Sequence, residues 1–113
     1  MTDTVFARII DRSIPADIVY EDDRVVAFRD IHPRAPVHIL VVPREPIATL
    51  NDADVSHEAL LGHMMLTAAR VAREAGLEKG YRLVMNCREH GGQTVWHLHL
   101  HVLGGRPMKW PPG

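Results

Sequence analysis

Cysteine occurs once in the 113 residues, at Cys87, so no internal disulfide framework is available and a reducing compartment is expected. Long apolar runs are missing too. None approaches the roughly 18 residues that a membrane span needs, and Asp3, Arg8 and Asp11 interrupt any signal-like stretch near the start. The expected location is therefore the cytoplasm. Neither charge sign is in excess: 13 Lys+Arg stand against 14 Asp+Glu, a net charge of −1. That balance offers no basic field to nucleic acid or anionic lipid. With 46% apolar and 24% charged residues, the composition is that of an ordinary folded globule. The length suits one domain, assigned to residues 5–113, able to bury roughly two-thirds of its unfolded surface. Lysine is also rare, at Lys79 and Lys109 only, whereas histidine occurs eight times.

Spacing along the chain predicts a short helix after Thr4, a plausible N-cap, with Val5, Phe6, Ile9 and Ile10 as its apolar stripe. Ile18–Glu21 and Val25–Phe28 read as a hairpin around Asp22-Asp23. A loop with Pro33 and Pro36 follows, then a strand over His38–Pro43 whose unbroken apolar run suggests burial on both faces. A long helix is expected from about Ser56 to Ala75, closed by Gly76, with Met64 and Met65 both in the core. Tyr81–Asn86 and Trp96–Leu103 complete the set as two strands joined by a loop at Gly91-Gly92. Helix, three strands, long helix and two strands imply an α+β fold with a largely antiparallel sheet of about five strands.

Trp96-His97-Leu98-His99-Leu100-His101-Val102-Leu103 alternates strictly. Period two puts His97, His99 and His101 on one face and the apolar residues on the other, so the imidazoles are expected to line an accessible surface. Histidine's near-neutral pKa suits nucleophilic and acid–base work. Two imidazolium charges about 6.5 Å apart repel by roughly 2.5 kcal/mol at an effective dielectric near 20, so the row resists full protonation. His99, flanked on both sides, is the member expected to stay neutral most readily. A single tetrahedral ion would struggle to collect all three, since His97 and His101 lie roughly 13 Å apart in an extended strand. A two-histidine metal site completed by His38 stays open. Gly91-Gly92-Gln93-Thr94 immediately precedes the row, and its amides and hydroxyl suit a phosphate or other oxyanion.

These residues resemble the histidine-triad family. His97-Leu-His-Leu-His-Val-Leu103 fits its His-φ-His-φ-His-φ-φ motif, with φ apolar. Gly91-Gly92-Gln93-Thr94, Leu103-Gly104-Gly105 and the closing Trp110-Pro-Pro-Gly113 are similar to the nucleotide-binding (Hint) branch. Glu21-Asp22-Asp23-Arg24, Ala27-Phe-Arg-Asp-Ile-His-Pro33, Ala35-Pro-Val-His38 and Leu61-Gly-His63 fall in the family's order, so the likeness spans nearly the whole chain.

The resemblance implies a purine nucleoside phosphoramidase that cleaves the P–N bond of nucleoside 5′-phosphoramidates and binds purine monophosphates, with no cofactor or metal required. It implies that His99 attacks the phosphorus to form a nucleotidyl-histidine, that His101 contacts phosphate oxygens and helps protonate the leaving amine, and that His97 and His38 hold the triad. Asn86, Gly92, Gln93 and Thr94 would bind phosphate and ribose oxygens, and Asp30 the ribose hydroxyls. Val5, Phe6, Ile9, Phe28, Ile31 and Leu40 would enclose the base. A homodimer with joined sheets is implied as well, with Trp110 acting at the partner's site. Cys87-Arg88-Glu89-His90 departs from the smaller, glycine-containing sequence usual before the glycine pair, on the leaving-group side of the pocket.

Overall fold

The computed structural model describes residues 3–113. Thr4 caps helix α1 (Val5–Ile10), its hydroxyl accepting from the Ala7 amide at 3.1 Å. A hairpin follows, β1 (Ile18–Glu21) and β2 (Val25–Arg29), and then β3 (Val37–Pro43). Two 3₁₀ turns, Leu50–Asp52 and Val55–His57, lead into the long helix α2 (Glu58–Glu74). Strand β4 (Tyr81–Val84), a single helical turn α3 (Arg88–Gly91) and β5 (Leu100–Gly104) complete the chain. The five strands form one antiparallel sheet in the order β1-β2-β3-β5-β4. The expected α+β architecture is therefore present, with α3 as an addition within the loop before Gly92.

Alternation along the central strands divides the interior in two. Val25, Ala27, Ile39, Val41, Leu100 and Val102 pack with Met64, Ala68, Val71 and Ala72 of α2. Val26, Phe28, Leu40 and Val42 point to the other face, where Phe6 and Ile9 of α1 cover them. Burying both faces explains why β2 and β3 read as unbroken apolar runs. α2 ends at Ala75, and Gly76, with φ of +79°, takes the left-handed position after it, as its place in the sequence suggests. Met65 departs from expectation: Met64 is buried, but Met65 is half exposed, because adjacent helical positions point about 100° apart and only one can face the sheet.

The strand expected over Trp96–Leu103 is shorter. Ladder pairing begins at Leu100, and Trp96–His99 is irregular backbone. The Leu98 amide leaves the sheet to bond the Ile47 carbonyl at 2.7 Å, and the His97 ring bonds the Pro43 carbonyl at 2.7 Å. The two-residue alternation nevertheless survives, since Leu98 joins the α2 side while His97 and His99 meet Phe6 of α1.

Candidate active site

Sheet register builds the site. Leu40 of β3 faces His101 of β5, and His38 faces Leu103, which makes His38 and His101 diagonal neighbours on the α1 face. Their rings meet, with His38 Nε2 2.9 Å from His101 Nδ1. The His99 and His101 ring centres lie 4.9 Å apart, and Phe6 stands edge-on to His99, also at 4.9 Å. Helix α1 thus roofs the row. His97 and His99 are 2% and 5% exposed, contrary to an accessible imidazole row. The covering element lies ninety residues away in sequence, and strand periodicity carries no information about it.

Backbone groups set the proton on each ring. The Arg34 amide donates to His38 Nδ1 at 3.0 Å, so the neutral His38 ring carries its proton on Nε2 and donates it to His101 Nδ1. His101 then carries its own proton on Nε2. His99 Nδ1 donates to the His97 carbonyl at 2.7 Å, which leaves Nε2 of His99 as a lone pair. His97 donates through Nε2 to the Pro43 carbonyl. One ring therefore offers a nucleophile and its neighbour a donor.

Burial pushes all four imidazoles below the ordinary histidine value. His101 falls furthest, to about 4, through burial first and then the adjoining His99 and His38. Ring contacts place His101 between His99 and His38, while His97 and His38 also act on His99 to lower it. β3 supplies His38 on one side of His101, while His97 turns away to Pro43. The Asp30 carboxylate opposes the depression, lying 3.5 Å from His38 Nε2.

A cavity of about 590 Å³ opens over this face. Of the expected residues, Val5, Phe6, Ile9, Phe28, Asp30, Ile31, His38, Leu40, Gly92, Thr94, His99 and His101 line it. Asn86, Gln93, His97 and Trp110 do not. Gln93 is buried and spans three backbone groups, accepting from the Arg88 amide and donating to the Ala48 and Val95 carbonyls. Trp110 is exposed on its own chain, with the Arg82 guanidinium 5.8 Å from its ring. Asn86 packs beside Gly92, whose φ of +84° is a conformation that suits glycine. Cys87 is not among the lining residues. Sequence reasoning left His32 and Arg34 without a role, and both line the cavity. The only available signal was their place in the proline-bounded loop before His38.

Asp30, His38 and His101 bring potential metal-ligating atoms within 4.8 Å of one another. The site left open from the sequence was two histidines of the row completed by His38, whereas this group takes only His101 from the row, with His38 and Asp30. The short His38–His101 hydrogen bond already satisfies both facing nitrogens.

A family model described as HIT domain matches residues 11–108. The chain is 60% identical to an uncharacterised HIT-like protein of Synechococcus elongatus over 98% of its own length and 97% of that protein. It is 55% identical to the purine nucleoside phosphoramidase of Escherichia coli, over 94% of this chain and 90% of that one. A HIT family hydrolase from Legionella pneumophila superposes with a TM-score of 0.96 at 48% identity, covering 98% of this chain and all of that one. A histidine triad protein from Clostridium difficile does so with a TM-score of 0.91 at 40% identity, covering 96% of both chains.

Proposed function

The chain belongs to the HIT domain family, and from that premise we propose that it hydrolyses the P–N bond of purine nucleoside 5′-phosphoramidates through a nucleotidyl intermediate on His99. The observation that carries the reading is the pair of opposite tautomers facing one cavity, a lone pair on His99 Nε2 beside a proton on His101 Nε2. The phosphoramidase of E. coli, at 55% identity, supports the choice of bond.

In this scheme the His99 lone pair attacks the phosphorus and forms an N–P bond. The scissile P–N bond breaks, its electron pair leaves with the amine, and that nitrogen takes a proton delivered by way of His101 and replenished from solvent. Water then attacks the same phosphorus, its proton departs by the same imidazole, and the His99–P bond breaks to release the nucleoside monophosphate. The Gly92 backbone and the Thr94 hydroxyl stabilise charge on the phosphate oxygens. Asp30 takes the ribose hydroxyls, and Phe6, Ile9, Phe28 and Leu40 enclose the base. Two chains join their sheets, and Trp110 serves the partner's site.

The test is a side-by-side assay of an adenosine 5′-phosphoramidate and a diadenosine polyphosphate. The phosphoramidate should be the better substrate, and His99→Ala should reduce its turnover by at least about 10³-fold. Preference for the polyphosphate, or retained turnover in the variant, would refute the proposal.

A further inference from the structure

Arg34 and His32 sit in a loop whose backbone is pinned to the site at several points. The His32 amide donates to Asp30 Oδ1 at 2.8 Å, and the Arg34 amide donates to His38 Nδ1 at 3.0 Å. Arg106 donates to the Arg34 carbonyl at 3.1 Å, and Pro33 and Pro36 restrict the loop further. Gly105, with φ of +91°, lets β5 leave against Pro36: a Cβ there would lie 2.8 Å from that ring. Both residues are exposed and line the cavity. Neighbouring Arg29 pairs with Asp17, but the Arg34 guanidinium has no hydrogen bond or ion pair among the described residues. Asp30, the carboxylate nearest this loop, directs its oxygens to the His32 amide and to His38.

We propose that Arg34 and His32 form a second anion subsite at the cavity mouth, which holds a charged group of the substrate other than the phosphate being cleaved. The inference rests on the nucleotide reading above and narrows its substrate class. The Arg34 amide is one imidazole removed from His101, since His38 bridges the two at 3.0 and 2.9 Å. The loop that carries both side chains is thus anchored directly on the histidine cluster and borders the same cavity. A guanidinium suits such a group because its planar fork binds carboxylate or phosphate through two parallel hydrogen bonds. The prolines and backbone bonds hold the loop backbone in advance, so the ordering cost of binding falls on the two side chains alone. Two sources share this chemistry: a carboxylate on the leaving amine, as in an amino-acid conjugate, and a phosphate on a ribose hydroxyl.

Two matched substrate pairs separate the sources. One pair is an adenosine phosphoramidate of an amino acid and of the corresponding amino-acid amide. The other is a single phosphoramidate with and without a 3′-phosphate. Wild-type protein should favour the anionic member of one pair by about tenfold or more in kcat/KM. Arg34→Gln should bring that ratio towards one, Arg34→Lys should restore part of it, and His32→Gln should lower it. A ratio near one in both wild-type pairs, or one unmoved by Arg34→Gln, overturns the inference. Dissociation constants of the same compounds on His99→Ala protein give the ratio without turnover. Hydrolysis can therefore fail while anion recognition succeeds, or the reverse, and the two failures remain distinct.

Discussion

His99 and His101 stand 4.9 Å apart, centre to centre, and carry their protons in opposite senses because different backbone groups address them. The His97 carbonyl takes the Nδ1 proton of His99, while the Arg34 amide, acting through His38, leaves His101 protonated on Nε2. Burial favours the neutral form of both rings. A group whose pKa is lowered stays neutral to a lower pH, so the nucleophilic lone pair survives mild acid and is lost only when the coupled rings protonate. The acid limb of kcat/KM should therefore have its midpoint below the ordinary histidine value of 6.5, with a plateau above it. A pH–rate profile measures this, and a midpoint at or above 6.5 would contradict the lowering of these rings by burial. The residue types of the row were legible from period two alone. Their burial was not, nor was the His38–His101 contact, because these depend on α1 covering the face and on β3 pairing beside β5.

At the scale of elements, one carboxylate joins the β1–β2 hairpin to α2. Asp22 Oδ1 accepts from the Arg24 and Val25 amides, while Oδ2 accepts from the Tyr20 hydroxyl at 2.8 Å and the His63 ring at 2.6 Å. Burial pushes the carboxyl up, but these four hydrogen bonds outweigh it and hold the group well below the usual carboxylate range. Asp22→Ala removes a turn cap and an inter-element tie together. It should destabilise the fold by about 2–4 kcal/mol in chemical denaturation, with kcat per folded molecule unchanged because the residue lies outside the cavity. A loss below about 0.5 kcal/mol would show that the network adds nothing. The hairpin was readable from Asp22-Asp23 between β-branched runs, whereas His63 as its partner was not, since helical spacing carries no distance to a turn forty residues earlier. Trp96–His99 shows a related limit: an alternating pattern specifies a two-faced extended segment, but hydrogen bonds from Leu98 to Ile47 and His97 to Pro43 decide that it leaves the ladder.

For the molecule as a whole, a near-zero net charge suits the proposed phosphate chemistry only where recognition is local. In that proposal backbone amides, imidazoles and a few placed side chains act inside one cavity, without a broad basic surface. The antiparallel sheet and its cover by helices follow from patterning, because β2 and β3 are largely apolar on both faces. The strand order, with β5 between β3 and β4, does not. What a second chain would contribute in the proposed homodimer is not encoded in that pattern. Trp110 lies outside its own cavity, beside Arg82, and the proposal gives it a role at a partner's cavity. Removing residues 110–113 should change the ranking of several amine leaving groups while leaving a two-chain particle in sedimentation. An unchanged ranking would remove Trp110 from the account.

The central claim is that His99 becomes covalently nucleotidylated. Wild-type protein mixed with an adenosine phosphoramidate, quenched rapidly in alkali to preserve a phosphorus–imidazole bond, and analysed by peptide mass spectrometry tests it directly. The account predicts one adenylyl group, located on His99 and absent from His99→Ala protein. An adduct on another residue, or continued hydrolysis by His99→Ala protein, would contradict it.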